Sequence, residues 1–268
     1  MRVYRSIAEW RDARDSLTGA LGFVPTMGAL HAGHASLLRR SVAENDGTVA
    51  SIFVNAAQFN DPEDLAAYPS EIRKDLELCE SLGVDHVLLP AHEEIYTDGY
   101  RYRVEEFEFS RELCGKHRPG HFTGVLTVVM RLLNLVRPRR AYFGAKDYQQ
   151  WLLIRGMAEA FFMDVEIVAC ETVREPDGLA LSSRNALLTG ESRRLAARFN
   201  RALRLPASDQ AVAEELERLG FAVDYIDSRY GRRFAAVSVP GRQGPVRLID
   251  NVEFEPAGHA AGMPRDSA

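Results

Sequence analysis

Long apolar runs, paired cysteines and a basic surplus are all missing from this chain, and each absence removes a class of function. No apolar stretch approaches the roughly 20 residues that a bilayer crossing requires, and no signal-peptide pattern opens the chain. The expectation is therefore a soluble cytoplasmic protein with no membrane partner. The three cysteines, Cys79, Cys114 and Cys170, are odd in number and far apart. They offer neither a disulfide framework nor a zinc motif, and read as buried thiols in a reducing compartment. A net charge of -5 and a pI near 5.9 exclude a general nucleic-acid surface, so any attraction for a polyanion must be local. No internal repeat is present.

What the chain does have is alternation. Leu21 to Val24, Gly47 to Asn55, Val84 to Leu89, Ala141 to Phe143 and Val165 to Val173 read as strands. The second of these is β-branched and apolar without interruption, as in a parallel sheet covered on both faces. Helical spacing separates the strands: a capping box at Ser6 and Glu9 leads a helix to about Leu17, and further helices are expected from His34, over 70–82, 121–136 and 146–162. The pattern predicts a doubly wound, Rossmann-like α/β domain over 1–175. After it the character changes. An arginine-rich helix over 189–205, a second over 210–219 and strand-like runs over 221–226, 234–239 and 246–249 predict a smaller α+β domain over 176–255. From Pro256 onward too few apolar residues remain to pack, and a disordered tail over 256–268 is expected.

One stretch stands out within this frame. Gly22-Phe-Val-Pro-Thr-Met-Gly-Ala-Leu-His-Ala-Gly-His34 runs from an apolar strand through a glycine-punctuated turn into a helix. His31 and His34 are three apart, so both imidazoles face one way beside backbone N–H groups that lack helical partners and attract anions. Two imidazoles and free amides suit a phosphate. By itself the tetrad His31-Ala-Gly-His34 also admits a blander reading as helix-capping or solvated histidines.

Other polar stretches stand where an open α/β sheet gathers ligands, beyond the carboxyl ends of strands. Asn55-Ala-Ala-Gln58 follows one such end, although a lone Gln58 is also an ordinary loop amide. Gly144-Ala-Lys-Asp147 follows another, and Lys146 and Gln150 are spaced to share a helix face, as surface charge or as a ligand pair. Arg174 to Asn185 links the two expected domains. It carries Ser182, Ser183 and Arg184, which fit a phosphate clamp because arginine binds phosphate bidentately, and the serines also fit a capped turn. His117 and His121 are spaced like a metal pair, but two nitrogens rarely hold an ion, and His121 reads better as a helix-start residue.

Taken together these stretches resemble the pantothenate synthetase family, ATP-dependent ligases that join pantoate to β-alanine, within the H-I-G-H nucleotidyltransferase superfamily. The residues that carry the likeness are 25–34, 54–59, 118–125, 143–150, 177–185 and 247–251. The resemblance implies a nucleotide site lined by Met27, Gly28, Ala29, Leu30, His31, Ala32, Gly33 and His34. Gly144, Ala145, Lys146, Asp147, Val173, Leu181, Ser182, Ser183 and Arg184 complete it. His34, His31, Lys146 and Arg184 are implied as the catalytic groups, and Gln58 and Gln150 as the pantoate ligands, with His121 on the substrate side. ATP would enter with Mg²⁺, no metal-binding residue is assigned, and a homodimer is implied. The smaller domain is expected as a lid. Ala56 and Ala145 depart from the family pattern, which has proline and glutamate there. The stretch after Asn185 is shorter than the pattern leads one to expect. A related ligase or nucleotidyltransferase acting on a different small acid or acceptor remains the alternative.

Overall fold

The structure, a computed structural model, describes residues 1–60, 62–66 and 68–254. The expected tail from Pro256 lies outside the described residues. The chain divides into two compact units, Met1–Val173 and a second beginning at Arg174.

The first unit is built on six parallel strands: β1 (Arg2–Tyr4), β2 (Leu21–Thr26), β3 (Gly47–Ile52), β4 (His86–Leu88), β5 (Arg140–Gly144) and β6 (Glu166–Cys170). Their order is β1-β4-β3-β2-β5-β6, with β2 pairing parallel to β3 on one side and to β5 on the other. From Thr48 to Ile52 every residue of β3 is buried, as expected of a strand covered on both faces. One face packs Val24, Ala50 and Val87 against Leu37 and Leu38 of helix Ala32–Glu44 and Cys79 of helix Ile72–Ser81. Each fully buried leucine there contributes about 1.5–3 kcal/mol. Helix His121–Val136 is apolar nearly all round and buries Phe122, Val125, Leu126, Leu132 and Leu133. The first helix keeps its Ser6–Glu9 capping box but ends at Arg14, a turn sooner than expected.

From β2 the chain steps outward through β3 to β4, with β1 beyond, whereas β5 and β6 lie on the opposite side of β2. The reversal falls between β2 and β5. Such a switch point leaves a crevice outside the carboxyl ends of the strands, because the connections on its two sides run in opposite directions.

The second unit carries an antiparallel meander, β7 (Ala222–Arg229), β8 (Arg232–Pro240) and β9 (Pro245–Glu253). These strands are longer than the apolar runs suggest, since polar residues such as Asp227, Ser228 and Arg247 take part in the pairing. The single helix expected over 189–205 is instead two, Gly190–Ala196 and Phe199–Leu203. Arg198 N–H bonds to Leu195 three residues back, a tighter turn that brings both Ala196 and Phe199 into one core with Leu203, Leu216, Phe221 and Val237. Arg233 is fully buried there. It is paired with Asp209 and donates to the carbonyls of Leu203, Leu205 and Ala207, the satisfaction a buried cation requires. Among the described residues no helix is long and apolar enough to cross a membrane.

Candidate active site

The loop leaving β2 is bent by left-handed backbone at Gly28 (φ +83°) and Ala29 (φ +50°). A Cβ on Gly28 would stand 2.9 Å from Asp75 Oδ2, so glycine is required by space as well as by torsion. Ala29 has no such exemption and is held by its surroundings. Asp75, only 3% exposed, accepts from Ala29 N–H through Oδ2 at 2.9 Å and from Leu30 N–H through Oδ1 at 2.8 Å. Thr26 accepts from Gly28 N–H at 3.2 Å and donates to the Ser51 carbonyl at 2.7 Å. A cavity of about 260 Å³ adjoins the loop, lined by Met27, Gly28, Phe53, Asp75 and His92 among others.

His31 is the N-cap of helix Ala32–Glu44. Its Nδ1 accepts from Gly33 N–H at 3.1 Å, and His34 Nδ1 accepts from His31 N–H at 3.3 Å. The capping reading of the tetrad therefore holds, and it does not compete with the phosphate reading. Because both Nδ1 atoms are acceptors, the hydrogen bonds assign each neutral ring its proton at Nε2, leaving an N–H donor on each for a ligand. The ring centroids are 4.1 Å apart. Burial pushes the His34 pKa down to about 3, with His31 and Lys146 lowering it further and Asp147 opposing them. His31 is lowered for the same leading reason, and again by Lys146. The charges of Lys146 and Asp147 are thus felt by both imidazoles, so the turn after β5 lies near the histidine loop.

Lys146 and Asp147 lie in a 3-10 turn, Ala145–Asp147, and Gln150 in helix Tyr148–Ala160. The four-residue spacing thus does not place Lys146 and Gln150 on one continuous helix face as expected. The Lys146 ammonium stands 3.8 Å from the Asp147 carboxylate. Gln149, next to Gln150, is buried and structural: it accepts from Cys114 N–H and donates to the carbonyls of Phe109 and Glu112. Gln58 ends a 3-10 turn, Ala56–Gln58, after β3. Its Oε1 accepts from Asn55 Nδ2 at 3.0 Å, which leaves the Nε2 donors for a ligand. Asn55 is buried and receives the Tyr96 hydroxyl at 2.6 Å. In the second unit Ser182 accepts from Arg184 N–H and caps the turn Ser183–Leu187.

Sequence reading misses two residues that matter here. Asp75 sits in the charged run Ile72-Arg-Lys-Asp-Leu76, yet with Leu76 and Cys79 it holds an inward position of its helix. An acid at a core position is the signal that marks it. Asn55 is visible in the sequence only as a neighbour of Gln58.

A family model described as Pantoate-beta-alanine ligase matches residues 2–253. The chain belongs to the pantoate-beta-alanine ligase family. It is 53% identical over 253 residues to the pantothenate synthetase of Legionella pneumophila (strain Lens), covering 94% of this chain and 99% of that one. To the pantothenate synthetase of Bdellovibrio bacteriovorus it is 50% identical over the same share of each. The crystal structure of pantothenate synthetase from Thermus thermophilus superposes with a TM-score of 0.85 at 41% identity, over 94% of this chain and 99% of that chain. That of the ligase from Francisella tularensis, complexed with beta-gamma ATP and beta-alanine, gives 0.87 at 40%, over 96% and 100%. This ligase is therefore an ATP-using enzyme that forms pantothenate.

The half-buried His34 carries a stability consequence. In the unfolded chain it takes up a proton near its ordinary pKa of 6.5, whereas in the folded ligase it does so only near 3. The unfolded state then binds more protons in that window, so stability falls as pH drops from about 6.5, at up to ~1.4 kcal/mol per pH unit for this group. Urea midpoints at pH 7 and pH 5 should therefore differ more in the parent than in His34→Gln. Equal differences would count against an imidazole held neutral by the fold.

Proposed function

We propose that the ligase works through pantoyl adenylate, with His31, His34 and Lys146 stabilising the nucleotide's phosphates. The observation that carries this reading is the reciprocal cap at the β2–β5 switch point, which leaves two imidazole Nε2–H donors beside a lysine. The Francisella relative's complex with beta-gamma ATP and beta-alanine supports ATP and the amine as substrates. The remaining nucleotide assignments, Met27 to Gly33, Gly144 to Asp147, Val173, Leu181, Ser182, Ser183 and Arg184, rest on the motifs.

A free carboxylate is a poor electrophile. One pantoate oxygen attacks the α-phosphorus of ATP, the bond to the pyrophosphate oxygen breaks, and the acyl phosphate so formed carries AMP as its leaving group. The amine nitrogen of β-alanine then attacks the acyl carbon, loses a proton, and expels AMP. No protein nucleophile takes part. Charge develops on phosphate oxygens in the first step, and pre-oriented Nε2–H groups and the Lys146 ammonium meet it without reorganisation. Mg²⁺ bound with ATP would neutralise further phosphate charge. Among the described residues no group of three His, Cys, Asp or Glu side chains forms a metal cage. Mg²⁺ needs none, since it is held by substrate phosphates, water and one or two carboxylates, and Asp147 is the carboxylate at hand. Gln58 and Gln150 hold the acid's carboxylate and hydroxyls as neutral partners, without the salt bridge that would quench the attacking oxygen. A homodimer in the cytoplasm completes the proposal.

The test is pantoate-dependent exchange of pyrophosphate into ATP with AMP as final product. Exchange that ignores pantoate, or a product retaining the nucleotide, would overturn the reading. Gln150→Ala should raise the KM for pantoate about tenfold, the value of one neutral hydrogen bond, with kcat nearly kept. A defect confined to the ATP KM would remove that assignment.

A further inference from the structure

We infer that His121 and Arg118 are positioning residues that brace the turn carrying Gln58. The inference rests on the reading of Gln58 as an acid ligand. The Ala56–Gln58 turn has no side-chain cap of its own; its support comes from a segment about 60 residues away in sequence. His121 Nδ1 lies 2.9 Å from the Gln58 carbonyl oxygen, and Arg118 Nη2 donates to the same oxygen at 3.3 Å. Arg118 Nη1 stands 3.0 Å from His121 Nε2. Guanidinium nitrogens only donate, so Nε2 accepts and the proton sits on Nδ1, where it donates to the carbonyl. Both ring nitrogens are thereby committed to protein. That corrects the expectation of a substrate-side histidine: the ring, 7% exposed, has no polar atom left for a ligand.

Two further contacts make the turn lie flat on the start of helix His121–Val136. A Cβ on Gly124 would come within 2.4 Å of the Ala57 carbonyl oxygen, and Asn55 Nδ2 donates both to the Gly124 carbonyl and to Gln58 Oε1. The backbone of Gln58 is therefore clamped on one side and its amide oriented on the other. The brace matters in this chain because Ala56 leaves the turn's first φ angle unrestrained. Asn55 is extended (φ -88°, ψ 95°), outside the α region that a following proline disfavours. Position 56 is the first of its turn, where a missing N–H costs least.

The experiment measures two quantities: amide hydrogen exchange at Gln58 and Phe59, whose N–H groups close the turn onto Asn55 and Ala56, and the KM values for pantoate and ATP. In His121→Phe, which keeps a ring but no donor, exchange at both amides should accelerate about tenfold or more, and the pantoate KM should rise about tenfold with the ATP KM unchanged. His121→Asn, which can keep a donor to the carbonyl, should stay near the parent. Adding Ala56→Pro to His121→Phe should slow the exchange and recover the KM. Should His121→Phe not fold, Arg118→Gln on a half-buried side chain carries the same measurements. Unchanged exchange at Gln58 and Phe59 overturns the brace. Accelerated exchange with an unchanged pantoate KM supports the brace and removes Gln58 from the acid site instead.

Discussion

Replacing His34 by alanine is expected to slow pantoate-dependent ATP–pyrophosphate exchange by on the order of 10²- to 10³-fold, the usual loss for one pre-oriented transition-state donor. The ring is neutral because burial depresses its pKa to about 3, and its Nδ1 is occupied by His31 N–H. In the proposed role it would offer a phosphate an Nε2–H bond in fixed orientation, without proton transfer. The same substitution removes part of the helix cap, which costs about 1 kcal/mol. Rates must accordingly be compared per folded molecule, with ATP affinity measured alongside. A variant that binds ATP more weakly in proportion to its lost rate would show that His34 grips the ground state as firmly as the transition state. An unchanged exchange rate would remove it from the chemistry.

Asp75→Ala is expected to damage both stability and rate. Two half-buried backbone donors, Ala29 and Leu30 N–H, lose their charged acceptor, and a donor left unsatisfied away from water costs up to about 1–3 kcal/mol. The left-handed conformation at Ala29 then has nothing to hold it, and the loop relaxes. Because that loop delivers His31 and His34, a displacement of about 1 Å would cost roughly a hundredfold in rate. Asp75→Asn keeps the shape but faces one N–H with an amide donor, so it should fall between the parent and Asp75→Ala. Urea midpoints and exchange rates on the same preparations check both effects. A variant as stable and as active as the parent would show that the loop holds its shape unaided.

How much of this is legible along the chain depends on the range of the interaction. The strand and helix alternation, the two-face burial of β3 and the strand–turn–helix around His31 and His34 all follow from period and punctuation within a dozen residues. The motifs go further and identify the family. The interrupted helix at Ala197 and Arg198 is not legible, because its amphipathic pattern runs through the break and only the shared core with Phe221 and Val237 imposes the extra twist. Spacing misplaces Lys146 relative to Gln150 for a similar reason, since it assumes a regular helix where a 3-10 turn stands. A histidine in a motif invites a ligand's role for His121, and only its two neighbours in space reveal that both ring nitrogens already have protein partners.

By itself the sequence determined the doubly wound class, the histidine loop and the membership of a ligase family, because these are written in local periodicity and in residues close together along the chain. The tertiary structure alone decided which side chains hold that loop and the Gln58 turn in place. Asp75 reaches a backbone 46 positions away and His121 one 63 positions away. A hydrogen bond is specified by distance and direction in space, which no spacing along a chain encodes until the sheet order has brought the partners together.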